Sequence, residues 1–235
     1  MPAAVRALRR TAPLKKLPSR RDAAHKRRAA DIAYDRIESL FATLALAPDT
    51  PVVEADLAGR VGLGRTPVRE ALMRLVSVGL IVQQPRRGLR VSSIDLLNHL
   101  DVLQTRRSLE RLIATSAARR ATQDQRRAIV ESAQKMVDAS ARGRLDGYMT
   151  ADQELDHVIH AAARNASAAQ AVEPLVVQCR RFWYAYQHEG DIVEGARCHL
   201  LLAEGIHSAS AERAAAGADR LLDYLEAFAR RVIDG

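Results

Sequence analysis

Two sets of residues in this chain have the types and spacing to do chemistry. The first lies between residues 54 and 79, where Arg65, Thr66, Arg69 and Arg74 are interleaved with Val68, Leu72, Leu75 and Val76. Those apolar positions follow i, i+4, i+7 and i+8, one stripe of a helix, so the arginines fall on its other faces. A helix buried along one side and offering guanidinium groups along another suits insertion into a DNA major groove, where arginine binds base edges and phosphates. The second set is spread over the C-terminal half. Arg106 shares a stripe with Val102, Leu109 and Ile113. Asp152 shares one with Tyr148, Leu155, Ile159 and Ala162, with Asp156 one turn further along. His199 shares one with Ile192, Ala196, Leu202 and Ile206. Three helices therefore aim an arginine, an aspartate pair and a histidine at one interior. Buried ionisable groups are costly unless paired or bound to something. The set reads either as a self-satisfied polar cluster, with Arg106 on Glu110 or Asp152, or as a ligand pocket.

The elements that must position these groups are legible from local signals. Pro67 falls in the first turn of the arginine-bearing helix, where its missing N–H costs nothing, and Gly79 stops that helix after Val78. Leu80-Ile81-Val82 and Leu89-Arg90-Val91 flank the turn residues Gln83 to Gly88, a small hairpin with Arg86, Arg87 and Gly88 at its tip. Upstream, Asp31 is expected to cap a helix running to about Leu46, its inner side made by Ile32, Ile37, Leu40, Phe41 and Leu44. From Ser93 onward only helical signals remain. Six helices are expected, at about 95–120, 123–142, 145–164, 168–188, 192–208 and 212–232, with seven as the alternative count. An all-helical segment of this size buries its stripes in an antiparallel bundle. Phe182 and Tyr186 share a face of the fourth of these helices, which also carries the only tryptophan, Trp183, and core packing is the expected role of that face.

Composition narrows the setting. Of the 235 residues, 48% are hydrophobic but only 4% aromatic, which favours helix over sheet, and no apolar run reaches the length of a membrane span. Cys179 and Cys198 lack metal or redox spacing and are expected to be free thiols in a reducing cytoplasm. The net charge of +8 is uneven: residues 1–30 carry +9, residues 31–92 carry +1, and residues 93–235 carry −2. The chain thus divides into a basic arm expected to be flexible (1–30), a nearly neutral DNA-binding domain (31–92) and a helical domain (93–235). The arm would add sequence-independent, salt-sensitive affinity for DNA or serve only as a solubilising tail.

The segment from about 31 to 92 resembles the winged helix-turn-helix of the GntR family of bacterial transcription regulators. The resemblance runs through Leu57-Ala58, Gly64-Arg65-Thr66-Pro67-Val68-Arg69-Glu70-Ala71-Leu72, Leu75, Gly79-Leu80 and Gly88. The C-terminal half resembles the FCD effector-binding domain of the FadR-type branch, on Arg106 with Glu110, on Asp152 thirteen residues before Asn165, and on His199 and Ala214. Six helices place it nearer the VanR-like subgroup. The resemblance implies a cytoplasmic homodimer that reads a palindromic double-stranded operator, with no membrane partner. Arg65, Thr66, Arg69 and Arg74 would contact DNA from the helix, and Arg86, Arg87 and Gly88 from the wing. Gly64 and Ala55 depart from the family pattern, which leaves the operator sequence open. It also implies a small-molecule effector held by Arg106, Asp152, Asp156 and His199. Many such domains bind a divalent metal ion through an Asp, a His four residues later and two further His. Here the Asp maps to Asp152, the next position is Asp156, the first later His maps to His199, and the last falls on Leu221. Asp152, Asp156 and His199 would hold an ion only with water or effector oxygens completing its shell. The other reading is a metal-free pocket that grips a carboxylate effector with Arg106 and His199. Two further classes are kept beside these: a metal-dependent hydrolase using the same three residues, and a non-specific architectural DNA-binding protein.

Overall fold

The computed structural model describes residues 28–188 and 191–235; the basic arm lies outside the described residues as far as residue 27. The fold is mainly α, a winged helix followed by a helical bundle. In the first unit, α1 (Ala29–Ala42), α2 (Glu54–Val61) and α3 (Arg65–Ser77) precede a hairpin of β1 (Ile81–Gln84) and β2 (Gly88–Val91). The strands are antiparallel, with Ile81 opposite Val91 and Gln84 opposite Gly88. Residues 50–52 run along the other edge of β2, with Val52 N–H donating to Leu89 O at 2.8 Å and Val91 N–H to Thr50 O at 3.0 Å.

The local signals act as expected in α3 and the wing. Gly79, at φ +75°, turns the chain out of α3 so that Leu80 N–H donates back to Leu75 O at 3.0 Å. Arg86 at φ +64° and Gly88 at φ +74° close the hairpin. The ends of α1 differ from expectation. The helix begins at Ala29, so Asp31 lies inside its first turn, where a carboxylate favours the helix dipole without capping it, and α1 ends at Ala42 rather than near Leu46.

The bundle contains the six expected helices: α4 (His99–Arg120), α5 (Gln123–Ala141), α6 (Leu145–Ala163), α7 (Ala166–Tyr186), α8 (Asp191–His207) and α9 (Ala211–Asp234). Asp95 accepts from Leu97 N–H and Asn98 N–H, a turn that delays α4 to His99. Thr122 and Gln125 form a reciprocal cap on α5, and Asn165 caps α7 through Ala168 N–H. Helix α4 packs against α6, α7, α8 and α9. Helices α8 and α9 approach so closely that a Cβ on Gly217 would come within 2.6 Å of Leu202 Cα.

Each unit has its own core, but α1 and α7 belong to both. Tyr34, Ile37 and Phe41 of α1 bury into the winged helix with Val68, Leu72 and Leu75 of α3, and Val177 of α7 is part of that same cluster. In return Ala42 of α1 belongs to the bundle core. Arg181 of α7 donates to Ser92 Oγ at 3.0 Å and to Ser92 O at 2.6 Å, fixing the chain where it leaves the wing. The winged helix is therefore docked on the bundle through α7 and, by Gln153 Nε2 donating to Asp35 O at 3.3 Å, through α6.

Candidate functional site

Helix α3 presents Arg65, Thr66 and Arg69 to solvent, and the hairpin presents Arg86, Arg87 and Gly88 on the wing. Arg69, 71% exposed, makes a two-pronged pair with Glu54, Nε to Oε2 at 2.9 Å and Nη2 to Oε1 at 3.0 Å, and so pins α2 to α3. Arg74 is placed elsewhere. Its guanidinium lies over the Tyr34 ring at 4.1 Å, pairs with Asp31 at 3.0 Å and reaches Glu173 of α7 at 3.7 Å. It fastens α3 to α1 and to the bundle, because it projects from the side of α3 that faces them.

The second set meets inside the bundle. Asp152, Asp156 and His199 are all buried, as the stripes require, and Arg106 is buried on α4. Arg106 pairs with Glu110 one turn along its own helix, Nε to Oε1 at 2.9 Å, rather than with Asp152. The cation on the aspartates is Arg180 of α7. Its Nε donates to Asp152 Oδ2, its Nη2 to Asp156 Oδ2 at 2.6 Å, and its Nη1 to Glu38 Oε1 of α1 at 2.5 Å. Glu38 and Arg180 had no expected role. Arg180 lies on the apolar stripe of Val172, Val176 and Trp183, the same signal that marks Asp152.

His199 bridges Asp152 to the backbone. Its Nε2 lies 3.1 Å from Asp152 Oδ1 and its Nδ1 2.7 Å from Gly195 O. Both partners are acceptors, an arrangement that favours the ring protonated on both nitrogens. Burial disfavours that charge, but the hydrogen bond and charge of Asp152 outweigh it and hold His199 above its ordinary value. Burial likewise opposes ionised Asp152, yet Arg180 and His199 keep its carboxyl well below the usual carboxylate range. Glu38 is different: burial wins over Arg180 and pushes its carboxyl up to about 7.

Around these groups lies a cavity of about 30 Å³, walled by Arg106, Tyr148, Asp152, Arg180, Trp183 and His199. That is room for a water or two. Trp183 donates to Tyr224 Oη at 2.8 Å, and Tyr224 donates to Asp191 O at 2.9 Å, which holds the aromatic wall in place. Phe182 sits in the core instead, stacked on His99 with ring centroids 3.7 Å apart.

The arrangement does not fit a divalent ion. Arg180 occupies an oxygen of each aspartate, and both ring nitrogens of His199 are already directed at acceptors, Asp152 and Gly195 O. Leu221, where the last histidine of the ligand pattern would fall, is buried in the core. Among the described residues no group of three or more His, Cys, Asp or Glu side chains is arranged to hold a metal.

Comparison with known proteins agrees with the two-part architecture. Residues 29–91 match bacterial regulatory proteins of the gntR family, and residues 101–224 match the FCD domain. The HTH-type transcriptional repressor RspR of Escherichia coli is 28% identical over 139 residues, which is 59% of this chain and 61% of RspR. The match thus spans about three fifths of that relative's length. The regulator McbR of Escherichia coli is 25% identical over 134 residues, 57% of this chain and 61% of McbR. The solved structure of McbR/YncC shares the fold, with a TM-score of 0.74 at 18% identity over 88% of this chain and 100% of that one. A GntR regulator of Rhodococcus shares it at a TM-score of 0.60 and 16% identity, over 88% and 96%. The chain belongs to the GntR family of bacterial regulatory proteins, in the branch whose C-terminal half is an FCD domain. Its relatives are transcription regulators, and neither the hydrolase nor the architectural alternative finds support among them. Among the described residues no helix is long and apolar enough to cross a membrane.

Proposed function

We propose that this chain is an effector-responsive transcription regulator. As a homodimer it reads a palindromic operator with Arg65, Thr66 and Arg69 of α3 in the major groove and Arg86, Arg87 and Gly88 of the wing beside it. A small molecule that enters among Arg106, Asp152, Asp156 and His199 by opening the small cavity there sets the placement of the two heads. The observation that carries this reading is that the pocket and the head share one guanidinium. Arg180 holds Asp152 and Asp156 of α6 and Glu38 of α1 together, so a ligand that rearranges the pocket changes how the head is held. An effector needs only to favour one placement to alter DNA affinity by coupling. A carboxylate effector acts most simply by taking the place of Glu38 on Arg180, because Glu38 is the carboxyl whose charge is least secure near neutral pH.

Selection of bound fragments from random double-stranded DNA tests this. The expected product is an inverted repeat whose half-sites lie on one face of the duplex. Fragments without any shared sequence, recovered with the same yield as the starting pool, would mean that the chain does not read operators.

A further inference from the structure

We propose that Arg180 is the resident cation of this domain and stands where the family resemblance places a divalent metal ion. Three nitrogens of one planar guanidinium each donate to a different carboxylate, Nε to Asp152, Nη2 to Asp156 and Nη1 to Glu38. Asp152 and His199 are the two positions that keep the metal-binding pattern and Asp156 stands where its first histidine would be, while His199 directs one ring nitrogen at Asp152 and the other at Gly195 O. One oxygen of each aspartate is thus taken by Arg180, and both ring nitrogens of His199 are directed at acceptors. A guanidinium suits this place because its fork matches several carboxylates at once and does not deprotonate in a protein.

The replacement changes more than the chemistry of the centre. A bound ion exchanges with the surroundings, whereas Arg180 is anchored on α7, six residues beyond Pro174 and next to Arg181, which holds Ser92 at the wing's exit. Its third donor goes to Glu38 of the reading head, a partner outside the metal-binding pattern. The charge at the centre of the pocket is therefore permanent, independent of metal supply and tied by the chain itself to the docking of the head.

Full-length protein purified without chelators tests the proposal through its metal content and its melting temperature. Less than about a tenth of an ion per chain is expected for manganese, iron, nickel and zinc. EDTA, zinc and manganese should each move the melting temperature by under about 1 °C, since an ion that binds the folded state must stabilise it. One ion per chain, removed by EDTA with a clear fall in melting temperature, overturns the proposal. Arg180→Ala leaves Asp152 and Asp156 without their cation, so zinc or manganese, displacing the proton that His199 directs at Asp152, is expected to raise its melting temperature by several degrees. A folded Arg180→Ala that ignores both ions also overturns the proposal. If that variant does not fold, the wild-type measurements decide alone.

Discussion

Glu38 of α1 and Arg180 of α7 meet at 2.5 Å in the buried seam between the DNA-reading head and the helical bundle. Neither side chain has water to fall back on, so each needs the other more than a surface pair would. The same guanidinium serves Asp152 and Asp156, which makes the seam and the pocket one electrostatic unit. Val177, buried among the apolar residues of the head, clamps α7 to α1 beside it.

The titration of Glu38 should be visible in stability. Burial raises its carboxyl from an ordinary 4.5 to about 7, against Arg180 and Gln153, which lower it, and with Asp35 and Glu173, which raise it further. An acid whose folded-state value is raised contributes stability that is full below its unfolded value. That contribution is lost as pH climbs through the folded value. The gap corresponds to about 3 kcal/mol at most. Chemical unfolding of wild type and Glu38→Gln between about pH 5 and pH 8 should show the difference shifting against wild type as pH rises. A difference that stays level across that window removes Glu38 as the titrating group.

Arg180→Lys tests the fork itself. An ammonium is a point charge that cannot place three separate donors on three carboxylates in fixed directions. The pocket would keep its positive charge and lose its geometry, at an expected cost of about 2–4 kcal/mol, somewhat less than the roughly 3–5 kcal/mol of removing one partner of a buried pair. Denaturant unfolding measures it, and a loss below about 0.5 kcal/mol, the range of ordinary surface changes, would show that the fork is dispensable.

How much of this was readable depends on how far apart the interacting residues lie. Pro67, Gly79 and Gly88 act on their own turns, so α3 and the wing follow from short stretches. Asp152 and His199 are also legible, because a charged group on an apolar stripe is visible within one helix. Arg180 carries the same signal against Val172 and Val176, but the run Arg180-Arg181-Phe182-Trp183 puts charge and aromatic rings on every face and hides it. Glu38 is harder still. Its partner is 142 positions away, and its burial comes from a second domain lying on α1, which gives that helix two inner faces. Asp31 shows the limit of capping signals, since an acid at the cap and an acid in the first turn look alike in sequence.

The α8–α9 contact gives a packing prediction. A methyl at Gly217 meets the Leu202 backbone, Cα at 2.6 Å and N at 3.0 Å, and backbone cannot swing aside as a side chain does. Alanine is the better helix former by about 1 kcal/mol, so a surface glycine would gain from the change. Here overpacking should outweigh that gain and leave Gly217→Ala less stable by about 1–2 kcal/mol. A rise in melting temperature would mean that the helices separate without penalty.

Arg69 and Arg74 lie on the same helix and should separate reading from docking. Arg74 is spent on Tyr34, Asp31 and Glu173, so Arg74→Ala should cost about 1 kcal/mol of stability and change operator affinity by no more than about twofold. Arg69 is exposed and, among the described residues, pairs with Glu54, a surface pair worth at most about 1 kcal/mol. Turning from Glu54 to a base edge is therefore cheap, and Arg69→Ala should weaken operator binding by about 1–3 kcal/mol while binding to unrelated DNA falls less. Paired titrations on a selected operator and on random DNA, over several salt concentrations, check both. Equal losses on the two DNAs would make Arg69 a phosphate contact, and a larger loss for Arg74 would reverse the assignment.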